Sequence, residues 1–163
     1  MTYAVTNDQL GGAREHCVDS ERTMRAEPKK RRSGIPTGNA GEYFVMGELL
    51  RRGYDAQLAD RNTAGYDLLV GRHADRALNK VQVKTVRTPP WYVKQAMFEG
   101  DALSQVTIYV LLGKESSKEP VRYFIVRNGA VADQIATPKG WASNSFMNLR
   151  SIVGHENRWD VVG

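Results

Sequence analysis

Gln82 and Lys84 stand two residues apart in the segment KVQVKTV (80–86), which is otherwise rich in β-branched residues. Such residues suit a pleated, half-buried surface, so the segment reads as a strand. Side chains alternate along a strand, so the amide and the ammonium face the same way. Alone, they describe a strand with one wet face. Asp67, in YDLLVG (66–71), supplies a partner. If these two segments pair as neighbours across the turn GRHADRALN, Asp67 shares a face with Gln82 and Lys84. Glu42, in GEYFVMGELLRRGY (41–54), can reach the same place from a preceding helix. Two carboxylates, an amide oxygen and an ammonium then converge at one end of a small sheet.

That set suits hydrolysis of a phosphodiester, which needs charge neutralisation on the phosphate and a nucleophile made from water at neutral pH. Hard oxygen ligands hold Mg²⁺ or Mn²⁺, and Mg²⁺ keeps several waters and needs only one or two protein carboxylates. Asp67 is the expected central ligand, joined by the Gln82 side-chain oxygen and the Val83 carbonyl. Glu42 ligates directly or through water. Lys84 holds the attacking water and stabilises charge developing in the transition state. A plainer account of Glu42 also exists, because an acid in the first turn of a helix favours the helix dipole.

The elements that must position these residues are legible in outline. Asn39 is the expected N-cap of a helix whose apolar or small positions, Met46, Leu49, Leu50 and Gly53, recur at helical spacing. Glu42 falls near the middle of that stripe, whereas Glu48, Arg51 and Arg52 fall on the polar side. Gly53 ends the helix in a left-handed cap. YDAQLA (54–59), YDLLVG and KVQVKTV form a three-strand meander. PPWYVKQAMF, VTIYVLLG (106–113) and VRYFIVRN (121–128) are strand-like as well, and GKESSKEP is a hairpin-like surface loop between the last two. GAVADQIA suggests a short helix. The C-terminal segment suggests another short helix and a terminal strand, with Trp159 as a packing anchor. The class is mixed α/β (α+β) around a central sheet.

A chain of 163 residues, 41% hydrophobic and 25% charged, suits one globular domain. Residues 1–40 lack a sustained apolar period and read as a basic N-terminal arm, mobile when alone, ahead of a domain over 41–163. Lys29, Lys30, Arg31 and Arg32 in that arm either neutralise backbone phosphates or form a solvated linker. A net charge of +5 leans toward a polyanion. No apolar run has the length of a membrane span, and the N-terminus lacks signal-peptide features. The lone Cys17 fits a reducing cytoplasm. His16, His73 and His155 show no metal-ligand spacing, and Gly11, Gly12 and Gly113 belong to no phosphate-binding fingerprint. Arg87, Trp91, Tyr92 and Lys94 either line a nucleic-acid groove by charge and stacking or, for the aromatics, simply pack.

Taken together, GEYFVMGELLRRGY, AGYDLLV and VQVKT resemble the PD-(D/E)XK nuclease superfamily, nearest its restriction-endonuclease-like members with a D…QxK core, such as Mrr-type enzymes. Archaeal Holliday-junction resolvases resemble the helix, with a glutamate and then a glycine-aromatic pair eleven residues on, as in Glu42 and Gly53–Tyr54. The resemblance covers roughly residues 41–86. It implies an α-β-β-β-α-β core with a central mixed sheet. It also implies metal-dependent cleavage of nucleic acid, most readily DNA, in restriction, phage defence or DNA processing, with Glu42, Asp67, Gln82 and Lys84 at the matching positions. Tyr66 stands where the motif has proline, a position that is not a ligand. Gln82 replaces an acid, which removes one negative charge and should weaken metal affinity unless Glu42 compensates. The alternatives are a nucleic-acid-binding module of weak or lost activity, or a subunit of a larger defence complex. A homodimer is also compatible.

Overall fold

The computed structural model describes residues 34–60, 62–73 and 77–163. Lys29 to Arg32, Cys17 and His16 therefore lie outside the described residues. The first element, helix α1 (Ile35–Arg51), begins earlier than expected. Pro36 sits in its first turn, where the missing N–H costs nothing and the fixed φ favours the helix. Gly34 is the N-cap, so Asn39 lies inside the helix, and residues 35–40 are helical rather than part of an arm.

The helix ends as its sequence dictates. Gly53 has φ of +79°. The Gly53 N–H donates to the Leu50 carbonyl at 3.0 Å, and the Tyr54 N–H donates to the Leu49 carbonyl at 3.1 Å. This is the paired hydrogen-bond pattern of a glycine-terminated helix. The buried stripe is Gly41, Val45 and Leu49, one residue every fourth position. Leu50, expected in that stripe, is 49% exposed. It follows Leu49 by one residue and so points about 100° away.

Five strands form the main sheet in the order β1-β2-β3-β5-β6. They are β1 (Asp55–Leu58), β2 (Leu68–Gly71), β3 (Asn79–Val86), β5 (Val106–Leu111) and β6 (Arg122–Arg127), with β4 (Trp91–Lys94) set apart. The first three form the expected antiparallel meander. β3 and β5 run parallel, and β5 and β6 are antiparallel, so the sheet is mixed. The α-β-β-β order is present as anticipated. The crossover from β3 to β5 carries no second α-helix. It consists of β4 and two 3₁₀ helices, Gln95–Phe98 and Gly100–Ser104, in a stretch punctuated by Gly100 at φ +53°.

β4 pairs with β7 (Asn144–Met147) in a small second sheet. Two apolar layers result. On one face α1 packs Val45 and Leu49 against Val81, Val83, Ile108 and Ile125. On the other, Trp91, Val93 and Met147 meet Tyr109, Phe124 and Val126, joined by Ile152 of the short helix α2 (Leu149–Ile152). β5 and β6 are thus buried on both faces, which is why VTIYVL and RYFIV are almost unbroken apolar runs.

GAVADQIA forms part of a 3₁₀ helix, Asn128–Gln134. The expected C-terminal strand is also 3₁₀, Trp159–Val161. The chain touches the β6 edge at a single bridge, Phe124 with Glu156, and Asn157 at φ +56° then turns it away. That turn delivers Trp159 to the first core, 5.3 Å from the Tyr123 ring, with the Arg52 guanidinium 4.3 Å over it. Tyr54 donates its hydroxyl hydrogen toward the carbonyls of Trp159 at 3.2 Å and Gly163 at 3.0 Å. Among the described residues no helix is long and apolar enough to cross a membrane.

Gly41 is where α1 comes nearest to β3. A Cβ built there would overlap Thr85 Oγ1 and lie 2.7 Å from Thr85 Cβ and Cγ2. Gly41→Ala should lower stability by about 2 kcal/mol, despite alanine's intrinsic helix preference of about 1 kcal/mol. Thr85→Gly in the same chain should recover part of that loss in a denaturant-unfolding cycle. A Gly41→Ala protein as stable as wild type would mean the helix does not approach this closely.

Candidate active site

Asp67 stands where two strands part. Its N–H donates to the Val81 carbonyl at 2.9 Å, and its own carbonyl accepts from the Ala59 N–H at 2.8 Å. It thus closes the ladders of β2 with both neighbours just before that strand begins at Leu68. Past Val81, β3 continues without β2 beside it. The Asp67 side chain fills in: Oδ2 accepts the Val83 N–H at 2.7 Å. Gln82 Nε2 donates to the same oxygen. Hydrogen bonds to a carboxylate are strong ones, so the pair holds Asp67 at this edge. Among the described residues both hydrogen bonds to the Asp67 side chain end on Oδ2, which leaves Oδ1 available to a further partner.

Backbone geometry places a further oxygen there. The Val86 carbonyl accepts from Leu112, on the β5 side. Carbonyls alternate edges along a strand, so Val83 directs both its N–H and its C=O to the Asp67 side. The Val83 carbonyl therefore borders the carboxylate. The Gln82 amide meets Asp67 through its nitrogen, and its oxygen, the expected ligand atom, is the other arm of the same group.

Lys84 shares the face of Gln82 and is half-buried. Burial pulls its ammonium below the ordinary lysine value, and the charge of Lys94 pulls the same way, while Asp67 and Glu42 pull back. Both carboxylates are thus within electrostatic reach of one lysine. Glu42 follows Gly41, the point where α1 comes nearest to β3. A cleft of about 260 Å³ is lined by Ile35, Asn39, Glu42, Asp60, Tyr66 and Asp67 among others. Asp67 is thus in contact with Gln82 and Val83, Glu42 shares its cleft, and Lys84 lies on the Gln82 face of β3. The donor set is two carboxylates, an amide oxygen and a carbonyl, all hard oxygens of the kind Mg²⁺ and Mn²⁺ take. Among the described residues no three of His, Cys, Asp and Glu group as a metal site, and His73 and His155 belong to no such cluster.

The outlying candidates divide. Arg87 is exposed, with its guanidinium 3.5 Å from Glu115. Lys94 is exposed at the end of β4. Trp91 does not face a groove, which corrects the stacking role considered for it. It is 1% exposed, donates Nε1–H to the Val110 carbonyl at 3.1 Å, and meets the Tyr109 and Phe124 rings edge-on. β4 alternates, so Trp91 and Val93 turn inward while Tyr92 and Lys94 turn outward. Sequence reading missed two contributors. Gly41 and Thr85 set the helix position, and the only signal was a glycine directly before Glu42. Trp141, 40% exposed, lies stacked on Tyr92, and nothing local announces it.

The amide at position 82 makes a sharp expectation. Gln82→Glu would put a second carboxylate against Asp67 with no hydrogen to share. One of the two acids would then have a raised pKa in the folded state, a penalty absent at low pH that grows as pH rises through the carboxylate range. In EDTA the variant should be less stable than wild type by about 2 kcal/mol at pH 8, and nearly equal at pH 4. Thermal unfolding should show Mn²⁺ stabilising the variant more than wild type. Equal stability at pH 8 would mean that residues 67 and 82 are not in contact.

No family model matches the chain, and no curated protein does. Solved structures do. The Holliday junction resolvase Hjc of Archaeoglobus fulgidus, an archaeal hyperthermophile, aligns at 14% identity over 74% of this chain and 99% of its own, with a TM-score of 0.47. The bacterial homing endonuclease I-Ssp6803I aligns at 15% identity over 80% of this chain and 92% of its own, with a TM-score of 0.48.

Proposed function

We propose that this chain is a Mg²⁺- or Mn²⁺-dependent nuclease that hydrolyses phosphodiester bonds, most readily in DNA, in restriction, phage defence or DNA processing. One observation carries the reading: Asp67 is held by Val83 and Gln82 at a parting of strands, beside a half-buried lysine that also feels Glu42. Even partial burial of an ammonium costs free energy unless it is paired.

Asp67, Glu42, the Gln82 oxygen and the Val83 carbonyl are the groups that would hold the cation, which when bound would offset phosphate charge and make water a better nucleophile at neutral pH. The chain's own residues do the rest. Val83 N–H and Gln82 Nε2 fix Asp67 so that no reorganisation is needed at the moment of reaction. Lys84 donates hydrogen bonds to the attacking water or to a non-bridging phosphate oxygen, and its charge opposes the negative charge gathering there. Basic residues outside the site, Arg87 and Lys94, meet the flanking phosphates.

Gln82 favours a second reading. A neutral amide, hydrogen-bonded to Asp67, leaves the site short of one negative charge. A nucleic-acid-binding module with weak or lost activity would keep this arrangement. The two readings part in a single experiment with plasmid, linear and branched DNA, with and without Mn²⁺. Wild type should cut in Mn²⁺. Lys84→Ala and Asp67→Asn should each lose at least about 100-fold in rate while binding DNA within a few-fold of wild type. Failure of wild type to cut any of the three would favour the binding module. Equal cutting by Lys84→Ala would place the activity elsewhere.

The basic run gives a separate expectation. If Lys29, Lys30, Arg31 and Arg32 meet phosphates, removing residues before Gly34 should weaken DNA binding and flatten its dependence on salt. An unchanged slope would make the run a linker.

A further inference from the structure

We propose that Tyr92 and Trp141 form a stacking platform for an unpaired base of a nucleic acid whose backbone passes Lys94. The proposal rests on the chain binding nucleic acid, but not on its cutting.

The two rings lie 6.0 Å apart with planes only 17° from parallel. Both are open to solvent, Tyr92 at 62% and Trp141 at 40% exposure. Their position follows from strand parity. In the β4–β7 sheet, Trp91, Val93 and Met147 point into the second core, so Tyr92 and its cross-strand neighbour Phe146 face outward. Trp141 leans on that outward face, stacked on Tyr92 and edge-on to Phe146 at 6.2 Å and 70°. Burying a large aromatic ring is the usual way it contributes to folding. Two parallel rings left in water instead present flat faces of the kind a base stacks upon.

Charge next to the platform selects the occupant. Lys94 is two residues along the same outward face of β4, a step of roughly 7 Å. A strand with a phosphate at Lys94 would therefore carry a base toward Tyr92. Bases in an intact duplex are stacked on one another and offer no free face. The platform therefore suits a single strand, a fork or a branch.

The test is binding without metal, so that it stands apart from cleavage. In EDTA, the affinity of wild type, Tyr92→Ala, Tyr92→Phe, Trp141→Ala and Trp141→Phe is measured on three probes: oligo-dT, a forked duplex and a blunt duplex of the same length. Tyr92→Ala and Trp141→Ala should each weaken binding to oligo-dT and the fork by roughly 5- to 150-fold. The blunt duplex should change by less than 2-fold. Both phenylalanine variants should stay within a few-fold of wild type on all probes, which also guards against a folding defect. Quenching of Trp141 fluorescence by oligo-dT should appear in wild type and be absent from Trp141→Phe. Losses equal on all three probes, or no loss on any, would overturn the proposal. If wild type never cuts DNA but prefers the fork and loses that preference in Tyr92→Ala, the platform stands and the nuclease reading falls.

Discussion

Helix α1 meets strand β3 at Gly41 and Thr85 so closely that no side-chain carbon fits between them. Much of the site depends on that meeting. The next residue on the helix is Glu42, and the preceding residue on the strand is Lys84. The depth of the helix over the sheet thus sets how near the Glu42 backbone lies to β3. The approach has a cost, because Thr85 Oγ1 is buried there without a hydrogen-bond partner among the described residues. A strand end makes the second constraint. Where β2 turns away from β3, the exposed backbone needs partners, and the Asp67 carboxylate supplies one for Val83. The feature that positions the carboxylate and the feature that ends the strand are the same.

Much of this was legible from residue types, and for identifiable reasons. Gly53 announced the helix end because few other residues adopt φ of +79° without strain. The meander showed in β-branched runs separated by polar turns. Strand parity put Gln82 and Lys84 on one face before any partner was known. What was missed depends on contacts distant in sequence. The helix start looked like a loop because Gly34, Pro36 and Gly38 are ordinary turn residues, and only Pro36's place in a first turn makes it helical. Leu50 looked like a core residue because its type is apolar, whereas the stripe actually used runs through a glycine. The C-terminal strand failed to form because its neighbour, the β6 edge, is met at one bridge before Asn157 turns the chain. The crossover gave no helical period because its residues form a strand and 3₁₀ turns.

The charge balance at the site is lean. Asp67 is contacted by an amide and a peptide N–H rather than by another acid. Lys84 balances two acids from a half-buried position in which its own ammonium is disfavoured. Among the described residues the polar cluster on this side of the sheet is held by the hydrogen bonds of Gln82 and Val83 to Asp67, at the rim of two apolar layers that would not admit unpaired charge.

β4 is four residues long, and its two faces do different work. Trp91 and Val93 belong to the interior, where a change of volume is felt across the second layer. Tyr92 and Lys94 point the other way, Tyr92 against the Trp141 ring. The outward pair can therefore be exchanged without changing the volume of the interior. Surface chemistry and foldability are written on alternate letters of one short word, WYVK, and drift in one need not disturb the other.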